Sequence, residues 1–133
     1  MRRPNLIIRS RRGNVAIEYA LILPAFLLFV LGVGDTGRLF WTYTAMSHAV
    51  DAAARCGAIA ATGCTDPAST ADFAATQAYG LMIDGTSFDI STPACGYQVH
   101  GTYPFVFVIP WIGESPFGPG NGITIDVTAC YPT

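Results

Sequence analysis

Residues 11–34 read RRGNVAIEYALILPAFLLFVLGVG, and this stretch decides the fold. Its last twenty residues, 15–34, include only two ionisable side chains, Glu18 and Tyr19. As a helix rising about 1.5 Å per residue they would measure roughly 30 Å, the thickness of a bilayer's hydrocarbon core. The stretch therefore predicts a membrane-spanning helix over residues 15–34.

The charges of the chain are divided between its two ends. All seven basic residues are arginines, and five of them precede Gly13, whereas all nine acidic residues follow it. From residue 14 onward two Arg stand against nine acids, a balance of −7. An Arg excess on one flank of an apolar helix places that flank in the cytoplasm. We therefore expect a basic cytoplasmic leader at residues 1–13 and an exported acidic body, whose charge argues against nucleic acid as a partner.

Two other interpretations of the N-terminal segment stay open at this point. A cleaved signal peptide would also show an Arg-rich start, an apolar stretch and small residues such as Gly32 and Gly34 near its end. A plain signal anchor would show the same charge asymmetry. Neither interpretation explains Glu18, because a carboxylate inside an apolar helix is costly and is normally retained only for a partner.

Three blocks of the sequence carry a family resemblance. Gly13 after a basic lead, with Glu18 five positions on, resembles the processing site of type IVb prepilins. The stretch EYALILP at residues 18–24 resembles the E(F/Y)AL-x-LP stretch of TadE-like proteins, the pilin-like subunits of tight adherence (Flp) pilus systems. The blocks GDTGRLF at residues 34–40 and AAARCGA at residues 52–58 resemble two further blocks of that family.

The resemblance implies a processed membrane subunit. In this family the prepilin peptidase, a membrane aspartyl protease, cuts after the Gly, which here is the bond between Gly13 and Asn14. Glu18, followed by Tyr19, would then lie about one turn into the mature helix, where it can pair with the free amine of a neighbouring subunit. The alternative role for Glu18 is an interfacial carboxylate that extends to the lipid headgroups.

The helix is expected to continue outward past the apolar stretch, so that it covers residues 14–61. Apolar or small residues recur there every three or four positions, which is the period of one helix face. They are Leu39, Tyr43, Met46, Val50, Ala53, Gly57 and Ala60. About half of this long helix would therefore lie in lipid and half under a head.

Two features interrupt the pattern of this helix. Pro24 removes one backbone donor, so a kink or local unwinding is predicted there, which could ease helix sliding in a filament or be a simple membrane kink. Asp35 with Arg38, and Asp51 with Arg55, fall at helical contact spacings. We expect both pairs to be solvated and the first to mark the exit from the bilayer.

Residues 62–133 are predicted to form a small extracytoplasmic α/β head. Asp66 and Pro67 are typical of a helix N-terminus. Three segments rich in β-branched and aromatic residues predict strands, at 87–91, 97–109 and 123–130. The fold class is therefore α+β and, by the resemblance, pilin-like: a long N-terminal helix packed on a small antiparallel sheet with disulfides.

The four cysteines are Cys56, Cys64, Cys95 and Cys130. An even number in a short exported chain usually means disulfides, and three connectivities are possible. We favour Cys95 with Cys130, because a hairpin of the last two strands would bring them together at its open end. This choice leaves Cys56 with Cys64, for which the chain must turn back within eight residues.

The apolar stretch over residues 105–112 is too short to span a membrane. One interpretation is a buried strand that runs into a loop. The other is that Trp111, Ile112 and Phe117 remain partly exposed as a contact for another subunit.

No catalytic residue, cofactor site or metal site is predicted, so we do not expect an enzyme. The two histidines lie in no recognisable motif, the cysteine spacings fit no familiar zinc pattern, and no glycine-rich phosphate loop is visible. The expected function therefore comes from the resemblance: a minor pilin or pseudopilin of a tight adherence (Flp, type IVb) pilus or related secretion machine, acting in assembly, surface adhesion and biofilm formation.

The expected partners are the prepilin peptidase, other pilin subunits, the inner-membrane assembly platform and membrane lipid. The protein would cross the inner membrane once, with a periplasmic or extracellular head, and could enter the filament or its tip. The alternative is a single-pass periplasmic partner-binding protein that is neither cleaved nor incorporated into a filament.

Overall fold

The computed structural model describes residues 12–108 and 122–132. In this part of the chain, the long helix is followed by a second helix, a short 3₁₀ turn and a three-stranded sheet. The elements are α1 at Arg12–Ala58, α2 at Pro67–Gln77, the turn at Gly85–Ser87, β1 at Phe88–Ser91, β2 at Tyr97–Val106 and β3 at Gly122–Tyr131. The predicted α+β class, a long N-terminal helix on a small antiparallel sheet with disulfides, is confirmed.

The two halves of α1 have opposite surroundings. Nearly all side chains over residues 16–34 are exposed, and this half is long and apolar enough to cross a membrane. Over residues 42–57 one face of the helix is buried by the head. The helix is therefore compatible with a single-pass membrane anchor whose outer half forms part of the head.

The buried face of the outer half of α1 follows the predicted helical period, except that Thr42 is buried in place of Tyr43. Met46, Val50 and Ala53 are buried as predicted. Tyr43 is 53% exposed, and Thr42 is buried beside it. The Thr42 hydroxyl donates to the carbonyl oxygen of Arg38 at 2.9 Å, so the helix itself satisfies this buried polar group.

Helix α1 ends three residues before the predicted boundary. The N–H of Ala61 donates to the carbonyl oxygen of Cys56 at 3.1 Å. The N–H of Ala60 donates to the carbonyl oxygen of Gly57, also at 3.1 Å. These two bonds form a Schellman motif, in which Ala60 occupies the left-handed position with φ 47°. The predicted core position of Ala60 is therefore wrong, because the helix has already ended and the residue is exposed.

Both disulfides join the cysteine pairs favoured from the sequence. Cys56 and Cys64 have Cα atoms 5.8 Å apart and fasten the end of α1 to the loop that follows. Cys95 and Cys130, with Cα atoms 6.3 Å apart, close the open end of the β2–β3 hairpin. Each bridge contributes about 2–4 kcal/mol in a domain of this kind, which matters for a head with so small a core.

Helix α2 begins where the sequence predicted. The Asp66 carboxylate accepts the Ser69 N–H at 2.9 Å, and the Ser69 hydroxyl oxygen accepts the Asp66 N–H at 3.2 Å, which completes a capping box. The hydrogen bonds from the Ser69 backbone and hydroxyl lower the pKa of the Asp66 carboxyl below its ordinary value. On the face that packs into the head, α2 buries Thr70, Ala71 and Ala74.

The sheet is antiparallel in the order β1-β2-β3, and one of its faces packs on α1 and α2. Gly101 of β2 marks a close approach, since a Cβ there would lie 2.9 Å from Cγ2 of Val50. A Cβ at Gly57 would likewise overlap the ring of Tyr97 at the start of β2. The Tyr97 hydroxyl also donates to Oγ1 of Thr70 at 3.1 Å, so one side chain connects both helices to the sheet.

Replacing Ala60 with Gly is expected to stabilise the head by about 0.5–1 kcal/mol. The left-handed conformation costs a residue with a side chain about 1–2 kcal/mol, and the greater freedom of Gly in the unfolded chain offsets part of the gain. The matched control is Ala52→Gly inside α1, which should lose about 1 kcal/mol. Thermal unfolding of the detergent-solubilised chain measures both, and a lower melting temperature for Ala60→Gly would contradict the assigned helix end.

Candidate functional site

The predicted processing and assembly residues lie at the start of α1. Gly13 and Asn14 belong to its first turn, which begins at Arg12. Glu18 and Tyr19 are exposed on the apolar half of the helix. This surface is where a neighbouring helix or lipid would contact the chain. Cleavage after Gly13 and pairing of Glu18 stay predictions.

Pro24 lies inside α1, and the helix is continuous through it. The local unwinding predicted as one consequence of this proline is therefore not seen in the backbone. Pro24 still lacks a backbone N–H, so one carbonyl in the preceding turn has no helical donor. A bend at this position stays a prediction.

The predicted subunit contact of Trp111, Ile112 and Phe117 lies outside the described residues. The described residues end at Val108 and begin again at Gly122. Strand β2, which precedes these residues, is shorter than predicted, because it ends at Val106 instead of residue 109.

Asp35 is buried, and its prediction as a solvated charge is wrong. It is only 3% exposed, although it stands one residue beyond the apolar stretch. Nη1 of Arg38 donates to Oδ1 of Asp35 at 3.0 Å. The predicted pairing of these two side chains is thus present, but on the side of the helix that faces the sheet. Asp51 and Arg55, the second predicted pair, are both exposed as expected.

A hydrogen bond to the second oxygen of Asp35 helps to offset the cost of burying the carboxylate. Oδ2 accepts the backbone N–H of Val108 at 3.0 Å, across 73 residues of sequence. Val108 lies two residues beyond β2, and among the described residues the β2–β3 register ends at the pair of Val106 and Gly122. The bond is partly buried because Asp35 lies against the sheet, and a carboxylate is among the strongest acceptors available to a backbone N–H.

Arg38 adds a second contact between the helix and the same strand. Its guanidinium carbon lies 5.3 Å from the centroid of the Phe105 ring. This is the geometry of a cation–π interaction. We call Asp35, Arg38, Phe105 and Val108 the helix–sheet junction, because they join α1 to the end of β2 just beyond the apolar segment.

The contacts along β2 show that it runs antiparallel to α1 over the whole outer half of the helix. Tyr97 meets Gly57 at one end, Gly101 meets Val50 in the middle, and the junction lies at the other end. From Gly57 to Asp35 the helix rises about 33 Å, and the eleven residue steps from Tyr97 to Val108 extend about 36 Å. The end of the sheet at Val106 and Gly122 therefore lies toward the apolar segment, and the end with the Cys95–Cys130 disulfide lies away from it.

Sequence reasoning missed the role of Asp35 although a signal was present. Asp35 precedes Met46 by eleven residues, which is close to three helical turns, so both lie on the same face of α1. The face that the sequence identified from Leu39 onward thus extends back to the carboxylate. The spacing of Asp35 to Arg38 suggested a surface ion pair, and no local sequence signal showed that the Val108 N–H would bond to Asp35.

The two histidines make local contacts. Nδ1 of His100 lies 2.8 Å from Oγ1 of Thr128, its cross-strand neighbour, and the His48 ring lies 5.6 Å from the Tyr79 ring. Within residues 12–108 and 122–132, no three His, Cys, Asp or Glu side chains are close enough to hold a metal ion. These contacts provide packing and hydrogen bonding on the surface of the head.

The fold and the junction define a class of protein: a small disulfide-bonded α+β head carried by one long helix that is compatible with single-pass membrane anchoring. Residues 13–55, about a third of the chain, match the family model described as TadE-like protein. The matched segment runs from the predicted cleavage site through the junction residues of α1. It supports a TadE-like protein associated with the tight adherence pilus, and the predicted resemblance is confirmed. No curated protein and no solved structure matches the chain.

Replacing Asp35 with Ala is expected to destabilise the head by about 1.5–3 kcal/mol, because the Val108 N–H and the Arg38 guanidinium both lose the buried carboxylate as their acceptor. Asp51→Ala is the matched control on the same helix and should stay within about 0.5 kcal/mol, since that side chain is exposed. Asp35→Asn keeps an acceptor for the amide and should fall between them. Denaturant unfolding in detergent measures all three, and equal midpoints for the two Ala variants would rule out the junction as a stabilising contact.

Proposed function

We propose that the protein is a minor pilin or pseudopilin of a tight adherence (Flp, type IVb) pilus or a related secretion machine. The observation that carries the proposal is the exposed apolar half of α1, which lies within the segment that matches the TadE-like family model. Such an apolar surface must be covered by lipid before assembly and by the helices of neighbouring subunits after assembly. The proposal includes no catalytic step.

In this account the prepilin peptidase cuts between Gly13 and Asn14. Removal of the Arg-rich leader takes away the cytoplasmic charge that resists extraction of the helix from the bilayer. It also creates a free amine at the start of an apolar helix. Glycine suits the cut site because it has no side chain to obstruct an extended backbone in a protease cleft.

Glu18 is assigned the pairing with that amine in an adjoining subunit. The exposed position of Glu18 on α1 supports this role, because the carboxylate is available to a helix that packs alongside. Inside a bundle, a carboxylate without a partner would be a buried charge and strongly unfavourable. The pairing would therefore select neighbours that present an amine at the matching depth.

The helix–sheet junction is assigned a mechanical role in this function. Asp35 and the disulfide at Cys56 hold α1 to the head near both ends of its outer half. A head fixed in this way moves together with its helix when the subunit enters or primes a filament. Surface adhesion and biofilm formation would follow from the assembled pilus, with the inner-membrane assembly platform as the partner that moves the subunits.

The alternative function is a single-pass periplasmic protein that binds a partner through its head and is never cleaved. The same anchor and disulfides suit that role. The two candidates differ in the N-terminus of the working protein, which begins at Asn14 in the first and retains the Arg leader in the second.

Intact-mass analysis of membrane fractions is expected to show a chain that begins at Asn14 when the peptidase is present, and the full-length chain when it is deleted. Gly13→Val should block this conversion, because a branched side chain would obstruct the protease cleft. Gly32→Val is the matched control and should be processed normally, since a side chain at Gly32 meets nothing within 4 Å. A leader retained in cells that carry the peptidase would favour the anchored partner-binding protein.

Replacing Glu18 with Ala or Gln is expected to leave cleavage largely intact but to weaken co-assembly. Loss of one partner of a buried ion pair costs about 3–5 kcal/mol, which corresponds to at least a hundredfold loss of incorporation. Tyr19→Phe is a control at the neighbouring exposed position. Piliation and cross-linked subunit yield are the readouts, and unchanged piliation in both Glu18 variants would count against the assigned pairing.

A further inference from the structure

We propose that the end of the head nearest the apolar segment rests on the phospholipid headgroup layer. The contact surface, which we call the rim, consists of four apolar side chains that are each more than 60% exposed. They are Trp41 on α1, Met82 after α2, and Val106 and Val108 at the end of β2. The inference rests on the membrane anchoring in the proposed function and is independent of cleavage and of filament assembly.

The helix–sheet junction fixes the height of the rim. The Val108 N–H is bound to Oδ2 of Asp35 at 3.0 Å, and Asp35 is the first residue after the apolar stretch. If residues 15–34 occupy the hydrocarbon core, Val108 lies where the helix leaves it. Trp41 lies six residues further along α1, about 9 Å higher, which is close to the outer limit of the headgroup region.

Two of the four rim residues line one groove. Trp41 and Val106 line the same groove of about 480 Å³, together with Arg38 and Leu81. Met82 follows Leu81 directly and is fully exposed. The groove opens between α1, the end of β2 and the segment after α2. Val108 lies two residues beyond Val106 in the sequence, so all four rim residues lie on the groove or next to it along the chain.

The distribution of charge suits contact with headgroups. The Asp35 carboxylate at this level is buried, whereas its partner Arg38 keeps a side chain that is 56% exposed. Asp51, an exposed carboxylate on α1, lies sixteen residues beyond Asp35, about 24 Å higher. Asp126 pairs with Thr102 in the sheet, which is six strand residues, or about 20 Å, above Val108. These two carboxylates therefore stand clear of a lipid surface at the level of Val108, where the Arg38 guanidinium is partly exposed. Asp84, two residues after Met82, is an exposed carboxylate nearer to the rim in sequence.

Tryptophan at this height has a physical reason, since its ring prefers the interface between hydrocarbon and water. A moderate tilt of the helix, common for single spans, brings one side of the head onto the lipid. The junction would then set how closely the head approaches the bilayer.

The test uses the full chain in nanodiscs of phosphatidylcholine with a minor share of phosphatidylglycerol, with one chain per disc. In a background of Trp41→Phe and Trp111→Phe, a single tryptophan is placed by Val106→Trp. The matched control is Ile59→Trp, a position of similar exposure at the far end of α1. Phe26→Trp, in the apolar segment, reports insertion. Fluorescence quenching by lipids with a nitroxide on the headgroup is the readout.

We expect quenching of Val106→Trp to exceed that of Ile59→Trp by about threefold or more, since the two positions differ by some 30 Å in height. Adding Asp35→Ala should reduce the Val106→Trp signal toward the control and leave Phe26→Trp unchanged.

Equal quenching at positions 106 and 59, with Phe26→Trp quenched by acyl-chain nitroxides, overturns the inference alone. Failure of Phe26→Trp to be quenched overturns the membrane anchoring as well. Quenching at position 106 that requires two chains per disc overturns the lipid contact in favour of a contact between copies.

Discussion

A single buried carboxylate ties the long helix to the sheet. Asp35 accepts the Val108 N–H with one oxygen and the Arg38 guanidinium with the other. Without that acceptor, the end of β2 would lose its hydrogen bond to the helix, and hydrogen bonds to charged groups are the stronger ones. The orientation of β2 along α1, the height of the hairpin and the position of the groove all depend on where this contact is made.

The position of the contact links the fold to the function. Asp35 directly follows the apolar stretch, so the half of α1 that suits lipid ends where the half that belongs to the head begins. The segment of 13–55 that matches the TadE-like family model includes both halves. In the proposed function, a subunit built in this way would transfer its apolar half from lipid to neighbouring helices without changing its head.

Much of the architecture could be predicted from local sequence signals. The apolar stretch with its Arg flank indicated α1, Asp66 and Pro67 indicated the start of α2, and the hairpin of the last strands indicated the Cys95–Cys130 bridge. The spacing of Asp35 to Met46 placed the carboxylate on the buried face, but its role as an acceptor could not be predicted, because the donor is a backbone group 73 residues away. The early end of α1 was not predicted either, because Ala60 adopts a left-handed conformation in which Gly is the usual residue.

The central claim is that the Asp35 carboxylate holds the end of β2 against the helix at the limit of the apolar segment. Amide hydrogen exchange of the full chain in nanodiscs, resolved by residue, tests it most directly. The account predicts that the Val108 amide is protected to within about tenfold of the Val99 amide in the centre of the sheet. A Val108 amide that exchanges as fast as an exposed loop, while Val99 stays protected, would contradict it.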